Sequence, residues 1–351
     1  MGRTVISVNK HSSLIDKTER LDPLSGPEAE LLMEELLSGR VDTADIVRWL
    51  EALNQRQIHP AELTGFATVM RRHAAPVFVP VESRVSNLID TCGTGGDCSG
   101  AFNISTAAAF VASAAGARVA KHGNRSVSSR CGSADVLEAL GVRIDLPVEV
   151  SGRAIRDVGI GFLFAPAAHA ATRHAVPARK QIGKRTVFNL LGPLTNPAAT
   201  DFQVLGVYSP DYLELLAATL VELGVRRAFV VHGAGGLDEI SPLGETLVAE
   251  VHNGAIRRFT LTPEEFGLPR TSLETLRGAG PAENAVLIRN IFTGDDGPRR
   301  AVVILNAAAA LFVSGMAGDY QEAARLAAKA ISSGAALAKL DQLAAFTHGQ
   351  P

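Results

Sequence analysis

A chain of 351 residues with 34 basic and 36 acidic side chains has a formal charge of −2, which argues against a surface built to coat nucleic acid, since that needs a net basic face. At 46% hydrophobic and 20% charged, the composition is that of a globular protein with apolar material for about two domains, and no segment reaches the roughly 18 unbroken apolar residues of a membrane helix. Three cysteines, Cys92, Cys98 and Cys131, cannot all pair and lack a Cys-x-x-Cys spacing, so neither a disulfide scaffold nor a zinc site is expected.

Met1 to Arg20 is polar, lacks the apolar stretch of a secretion signal and reads as a cytoplasmic start. Residues 25 to 75 read as short helices. Ser25 and Glu28 form a capping box around Pro27, the apolar run Leu31 to Leu37 follows, and Gly39 ends it. Asp42 to Asn54 carries Ile46, Val47, Leu50 and Leu53 at helical spacing. Pro60 suits the first turn of a third helix. Ala75 to Pro80, with prolines at 76 and 80, must be extended and marks the exit from a small helical domain, 25–80, on which helices from about 166–190 are expected to pack.

From residue 85 the pattern becomes short apolar runs alternating with helices. Val85 to Asp90, Arg118 to Ala120, Ile160 to Phe164, Phe202 to Val207 and Ala228 to Val231 read as strands. Ser105 to Ala115, Ser133 to Leu140, Val150 to Val158 and Tyr212 to Leu223 read as helices between them. Such alternation makes residues 85–347 an α/β domain with a mainly parallel sheet. Asn253-Gly254, between two further apolar runs, is a hairpin signal and adds an antiparallel part. After residue 280 the chain reads as Ala-rich helices.

Three segments carry chemistry. Asp90 to Asp97 holds Gly93, Gly95 and Gly96, and Asn103-Ile-Ser105-Thr106 then opens a helix. Strand, glycine loop and helix N-terminus together make a phosphate-binding geometry. A dinucleotide fingerprint from Gly93 fails at Cys98, and a P-loop from Gly95 fails at Ala101 and Phe102. Lys121-His122-Gly123-Asn124-Arg125-Ser126 follows a strand and suits phosphate or carboxylate recognition, although such a basic loop is by itself more often a solvated surface. Asp238-Glu239, in a glycine loop after another strand, suits a hard cation that bridges to substrate phosphates, although an isolated acid pair is more often a solvated turn. A fourth segment, His169 to Arg185, is strongly basic, mostly a solvated helix face, with room for one inward Arg on a carboxylate.

Taken in order, Gly93-Thr-Gly-Gly-Asp97, Asn103-Ile-Ser-Thr106, Lys121 to Ser129, Gly132-Ser133-Ala-Asp135, Asn189 to Pro197 and Leu237 to Ser241 closely resemble the anthranilate phosphoribosyltransferase family of tryptophan biosynthesis. The resemblance spans nearly the whole chain. It implies a cytoplasmic homodimer of two-domain subunits, with a small all-helical N-terminal domain and a large α/β domain in the nucleoside phosphorylase-like phosphoribosyltransferase fold. It implies transfer of the phosphoribosyl group of phosphoribosyl pyrophosphate to the amine of anthranilate, with Mg²⁺, in two ions.

By the same resemblance, Gly93, Gly95, Gly96, Asp97, Asn103, Ser105, Thr106, Lys121 and Ser133 match phosphoribosyl pyrophosphate contacts. Gly93, His122, Asn124, His169 and Arg179 match the anthranilate side, with Arg179 on the carboxylate. Ser105, Asp238 and Glu239 match metal positions. No dedicated acid or base is implied, which suits an aromatic amine that is already neutral. The chain departs from the family at Ala168 to Thr172, where a His, a Pro and a Met are absent, and at Ala101, where a Thr or Ser is common. Two other readings of the fold are a pyrimidine nucleoside phosphorylase and a non-catalytic nucleic-acid-binding relative; the acid pair and the charge of −2 speak against them.

Overall fold

The N-terminal helices begin where side chains close their first turns. In the protein's structure, a computed structural model that describes residues 10–78, 85–126 and 130–350, α1 spans Lys10–Glu19, α2 Gly26–Leu37, α3 Thr43–Leu53 and α4 Pro60–Arg72. Ser25 Oγ accepts the Glu28 N–H while Glu28 accepts the Ser25 N–H at 2.8 Å, the reciprocal cap expected from the sequence. Asp42 accepts the Asp45 N–H at 2.9 Å, and Pro60 sits in the first turn of α4. Helix α1 lies in the stretch read as a polar start. It buries only His11, Leu14, Ile15 and Thr18, too few apolar positions to register as a periodic pattern. Its outer face is held by Arg48, which binds Asp16 at 2.9 Å and Glu19 at 2.6 Å.

Met1–Ala74 and His169–Thr195 form one compact unit, and Ala75–Ala168 with Asn196–Pro351 form the other. The returning segment brings the helices Val176–Ile182 and Val187–Leu194 into the helical unit. Its core centres on Trp49, which meets Phe66 edge-on at 5.2 Å and Phe188 at 6.4 Å. Val79 and Pro80 of the expected extended exit, and Val127 to Ser129 of the basic loop, lie outside the described residues.

The second unit is a seven-stranded sheet in the order β3-β2-β1-β4-β5-β6-β7. The strands are β1 Leu88–Gly93, β2 Arg118–Gly123, β3 Ile160–Phe164, β4 Phe202–Gly206, β5 Arg227–Gly233, β6 Thr246–His252 and β7 Ala255–Leu261. Pairing is parallel from β3 through β5 and antiparallel at β6 and β7. The last turn is the Asn253-Gly254 hairpin, with φ of 50° and 82°, as its dipeptide requires. Helices α5 Ile104–Ala114, α6 Ser133–Ala139 and α7 Val148–Asp157 connect the first three strands. Helix α5 packs on the Ala-rich helix Pro298–Val313, and buried Ala107 to Ala109 and Ala307 to Ala310 line both. No helix among the described residues is long and apolar enough to cross a membrane.

Two strands differ from their sequence-based ranges. Strand β1 starts three residues later than expected, after Asn87 turns the chain at φ 59°, and runs on through Asp90 to Gly93. Strand β2 continues through Lys121 and His122 instead of ending at Ala120. Polarity suggested loop at Lys121 and His122. The residues stay in the sheet because Asn196 bonds Asp90 and the Ala120 carbonyl, both at 2.8 Å, and the His122 N–H reaches Asp90 at 3.2 Å.

Fully buried Glu62 ties the helical unit together. Arg56 grips it with two bonds at 2.7 and 2.5 Å, and the N–H groups of Leu24 and His59 donate to it at 3.0 Å. These donors hold its carboxyl below the ordinary glutamate value, against the opposing push of burial. Glu62→Gln leaves Arg56 without its counter-charge and should cost about 3 kcal/mol at neutral pH. The fluorescence of Trp49, the chain's one tryptophan, followed in a urea titration, reads this unit. A carboxylate with a depressed folded pKa contributes stability above its unfolded pKa and loses that contribution as pH falls through the folded value. The gap between wild type and Glu62→Gln should therefore narrow on acidification below about pH 4.3; a constant gap would show that the charge is not involved.

Candidate active site

The four adjacent parallel strands β2, β1, β4 and β5 each end in glycine: Gly123, Gly93, Gly206 and Gly233. From β1 the chain adds strands in one direction, to β2 and β3, and then restarts on the other side at β4. The carboxyl ends of β1 and β4 therefore flank a topological switch point, where open α/β sheets bind ligands. Gly93 and Gly206 are paired across it. A Cβ on Gly206 would collide with the backbone of Asp238, one on Gly93 with the Asp238 carboxylate, and one on Gly233 with the Glu239 carbonyl. Bare strand ends let the acidic loop lie directly over them.

The loop's carboxylates are held by backbone donors. Asp238 Oδ2 accepts the Gly95 N–H at 2.8 Å, and Glu239 Oε1 accepts the Ser105 N–H at the start of α5 at 3.0 Å. Asn306 fixes the chain just beyond, accepting the Ile240 N–H at 2.9 Å and donating to its carbonyl at 3.0 Å. Gly95 and Gly96 adopt φ of 67° and 75°, the left-handed region in which a side chain would strain the turn. Asp97 lies close enough to repel Asp238. Burial first, then this repulsion, raises the Asp238 carboxyl; burial and Asp238 raise Glu239, against the pull of Lys121. Both side chains keep part of their surface open to solvent, so a cation can reach them.

Lys121 is buried at the end of β2 and donates to the Thr91 carbonyl at 2.6 Å, with Ser105 Oγ 3.5 Å away. Beneath it, Asp90 is raised to about 6 by burial, offset by Lys121 and by its hydrogen bonds. Burial also pushes the Cys92 thiol well up and that of Cys131 to about 11, so neither is a ready thiolate. Cys98 is exposed, at φ 58°. Ser133 Oγ bonds the Asn124 carbonyl at 3.3 Å, and Asn124 Oδ1 accepts the Arg125 N–H at 2.7 Å. Asn103 bridges the Cys131 carbonyl at 3.1 Å and the Asn284 amide at 3.0 Å.

The Thr106 hydroxyl is enclosed and has no hydrogen-bond partner among the described residues. Arg125 is not available as a fork for substrate, because Glu138 and Asp135 occupy its guanidinium. Ala101 makes an isolated bridge to Arg277. Of the expected anthranilate-side residues, Gly93, His122 and Asn124 belong to the sheet unit and His169 and Arg179 to the helical unit. His169 is buried, which lowers its imidazole to about 4 and keeps it neutral. Arg179 lies over the Phe188 ring at 5.2 Å, with its pKa lowered by burial. Gly206, Thr91, Asn196 and Asn306 were not singled out as site residues. The recurrence of Gly at the ends of four apolar runs was the available signal for Gly206.

Ser105, Asp238 and Glu239 fit a divalent cation. Burial, and then repulsion from neighbouring acids, raises both carboxyls, which a counter-charge would relieve, and no group of three or more His, Cys, Asp or Glu that could hold a metal ion occurs among the described residues. Such a partial ligand set suits Mg²⁺, which keeps waters and takes ligands from phosphates. Gly206→Ala should displace the acidic loop while leaving helix content unchanged. Amide exchange at Gly95 and Ser105, whose N–H groups the two carboxylates accept, should quicken at least tenfold; unchanged protection there would mean that the loop does not depend on the bare strand end.

Residues 12–74 match the model of the glycosyl transferase family helical bundle domain, and residues 85–337 match that of the glycosyl transferase family a/b domain. The anthranilate phosphoribosyltransferase of Pelotomaculum thermopropionicum is 52% identical over 324 residues, covering 92% of this chain and 93% of that protein. That of Citrifermentans bemidjiense is 48% identical over 340 residues, covering 94% and 96%. The crystal structure of anthranilate phosphoribosyltransferase from Thermus thermophilus matches with a TM-score of 0.89 at 45% identity, over 95% of this chain and 99% of that one. The Saccharomyces cerevisiae enzyme in complex with PRPP and Mg matches with a TM-score of 0.89 at 28% identity, over 98% and 99%. The chain belongs to the anthranilate phosphoribosyltransferase family.

Proposed function

We propose that this chain transfers the phosphoribosyl group of phosphoribosyl pyrophosphate to anthranilate, giving N-(5-phosphoribosyl)anthranilate and pyrophosphate, with Mg²⁺. The observation that carries the reading is the pair of bonds from Gly95 N–H and Ser105 N–H to Asp238 and Glu239. The glycine loop and the helix N-terminus already hold oxyanions, here the chain's own, as phosphate oxygens would be held. Neither alternative reading of the fold is favoured by an observation of this kind, and the relatives above are phosphoribosyltransferases by name.

In the reaction the anthranilate nitrogen forms a bond to C1 as the C1–O bond to pyrophosphate breaks. The electron pair leaves on pyrophosphate, and the nitrogen gives its proton to solvent. Bound Mg²⁺, held by Asp238, Glu239 and Ser105, supplies charge neutralisation for the leaving group; two ions and a homodimer belong to the same reading. Lys121 places a fixed cation beside Ser105, where it favours the phosphate-bound state. Gly93, Gly95, Gly96, Asp97, Asn103, Thr106 and Ser133 complete the phosphoribosyl pyrophosphate side. On the acceptor side, Arg179 binds the carboxylate of anthranilate, and the family resemblance also assigns Gly93, His122, Asn124 and His169 to the acceptor. A desolvated guanidinium suits that task, because its attraction to a carboxylate is little screened. Positioning and charge stabilisation supply the rate, with no dedicated base.

The direct test is fluorescence-monitored consumption of anthranilate with Mg²⁺ and phosphoribosyl pyrophosphate, with one pyrophosphate released per anthranilate lost. Cleavage of a pyrimidine nucleoside with phosphate and no loss of anthranilate would overturn the assignment. Asp238→Asn with Glu239→Gln should depress turnover sharply and move the Mg²⁺ titration to higher concentration; an unchanged titration would remove these residues from the metal. Arg179→Ala forfeits a charge-assisted contact of about 1.5–3 kcal/mol. The KM for anthranilate should then rise about ten- to a hundredfold, with phosphoribosyl pyrophosphate binding little changed. Arg179→Lys should restore only part, since an ammonium lacks the planar fork.

A further inference from the structure

The opposite end of the same strands holds a cavity of about 770 Å³, opening where β1, β2, β4 and β5 begin. Its volume lies within the range of small-molecule sites, about 300–1,000 Å³. Arg118, Arg226, Arg227 and His252 are among its lining residues, and no Asp or Glu is found in the lining among the described residues. In a chain with slightly more acidic than basic residues, that one-sided lining calls for a cause.

Arg227 has an internal one. It binds Glu250 at 2.9 Å, donates to the Phe312 carbonyl at 3.2 Å near the end of the helix Pro298–Val313, and lies over the Phe312 ring at 4.3 Å. The other two arginines are not used in this way. Arg226 lies over Phe202 at 5.1 Å and donates one bond, to Asn87 at 3.0 Å. Arg118 is exposed at the start of β2, and its side chain makes no hydrogen bond or ion pair among the described residues. Arg118 and Arg226 are both exposed and neither bonds a carboxylate among the described residues, so both are open to an incoming anion. The exposed Met316 side chain supplies apolar wall, beside the mostly buried Phe202.

We propose that this cavity is a second anion-binding site, separate from the glycine-ended edge of the sheet. It takes a small molecule bearing a carboxylate or phosphate on an apolar body. Arg118 and Arg226 grip the oxyanion, and Met316 closes one side. Strands of six residues place it about 17 Å from the glycine ends, so the two sites can be filled independently.

The test uses the full chain and two probes, inorganic phosphate and citrate, titrated by calorimetry. The variants are Gly95→Val, which damages the catalytic-edge loop, Arg118→Ser with Arg226→Ser, and Met316→Glu, which places a carboxylate at the mouth without touching an arginine. Melting temperatures within a few degrees of wild type establish that each variant is folded. Saturable binding of either probe should persist in Gly95→Val and weaken about tenfold or more in the other two; which probe binds tells a phosphate from a carboxylate ligand. Three results overturn the proposal: no saturable binding of either probe, binding lost in Gly95→Val alone, or binding equal in all variants.

Discussion

Four strand ends without a Cβ set the terms for everything above them. A sheet edge normally bristles with side chains that keep loops away from the backbone. Here Gly93, Gly206 and Gly233 remove that barrier, and the acidic loop rests on the strands themselves. Gly123 does the same for Ser133, whose side chain occupies the space a Cβ would need. Two carboxylates are thereby brought to the glycine loop and to the first turn of α5 across 143 and 134 residues of chain. The site is a consequence of close approach first and of charge second.

The charge has its own support. Asp90 and Lys121 are both buried under the site, and burial of an unpaired ion would be prohibitive. Each has its own partners: Asn196 and the His122 N–H bond Asp90, and Lys121 donates to the Thr91 carbonyl. This arrangement holds Lys121 near the end of its strand, 3.5 Å from Ser105 Oγ. The helix that carries Ser105 is itself set deep by small residues, because alanines on α5 and on Pro298–Val313 allow two helices to pack with little side-chain bulk between them.

What could be read in advance follows from the range of each interaction. The boundaries of α2, α3 and α4 were legible because Ser25, Asp42 and Pro60 act within one turn. The Asn253-Gly254 hairpin was legible for the same reason. Strand β2 was read too short because Lys121 and His122 are polar, and β1, read from Val85 through Asp90, was begun three residues early and ended before Gly93; bonds from distant Asn196 help to hold these residues in the sheet. The glycine loop, the basic segment and the acid pair could each be recognised as a motif. That Asp238 faces Gly95, or that Glu138 and Asp135 occupy Arg125, depends on pairings that no local pattern reveals. Helix α1 escaped notice because Arg48, on another helix, supplies the anchoring that its own sequence does not.

The helical unit is assembled from two stretches of chain, and this orders events during synthesis. Asn54 donates to the Arg185 carbonyl, 131 residues later, and Trp49 finds Phe188 in the same late stretch. At about 5–20 residues per second, that interval lasts roughly 7 to 26 s on the ribosome. During it the first four helices emerge with one side of Trp49 uncovered, while β1 to β3 are made. Quality-control machinery thus meets an open apolar surface at the front of every nascent copy, and its closure awaits a segment translated after nearly half of the sheet.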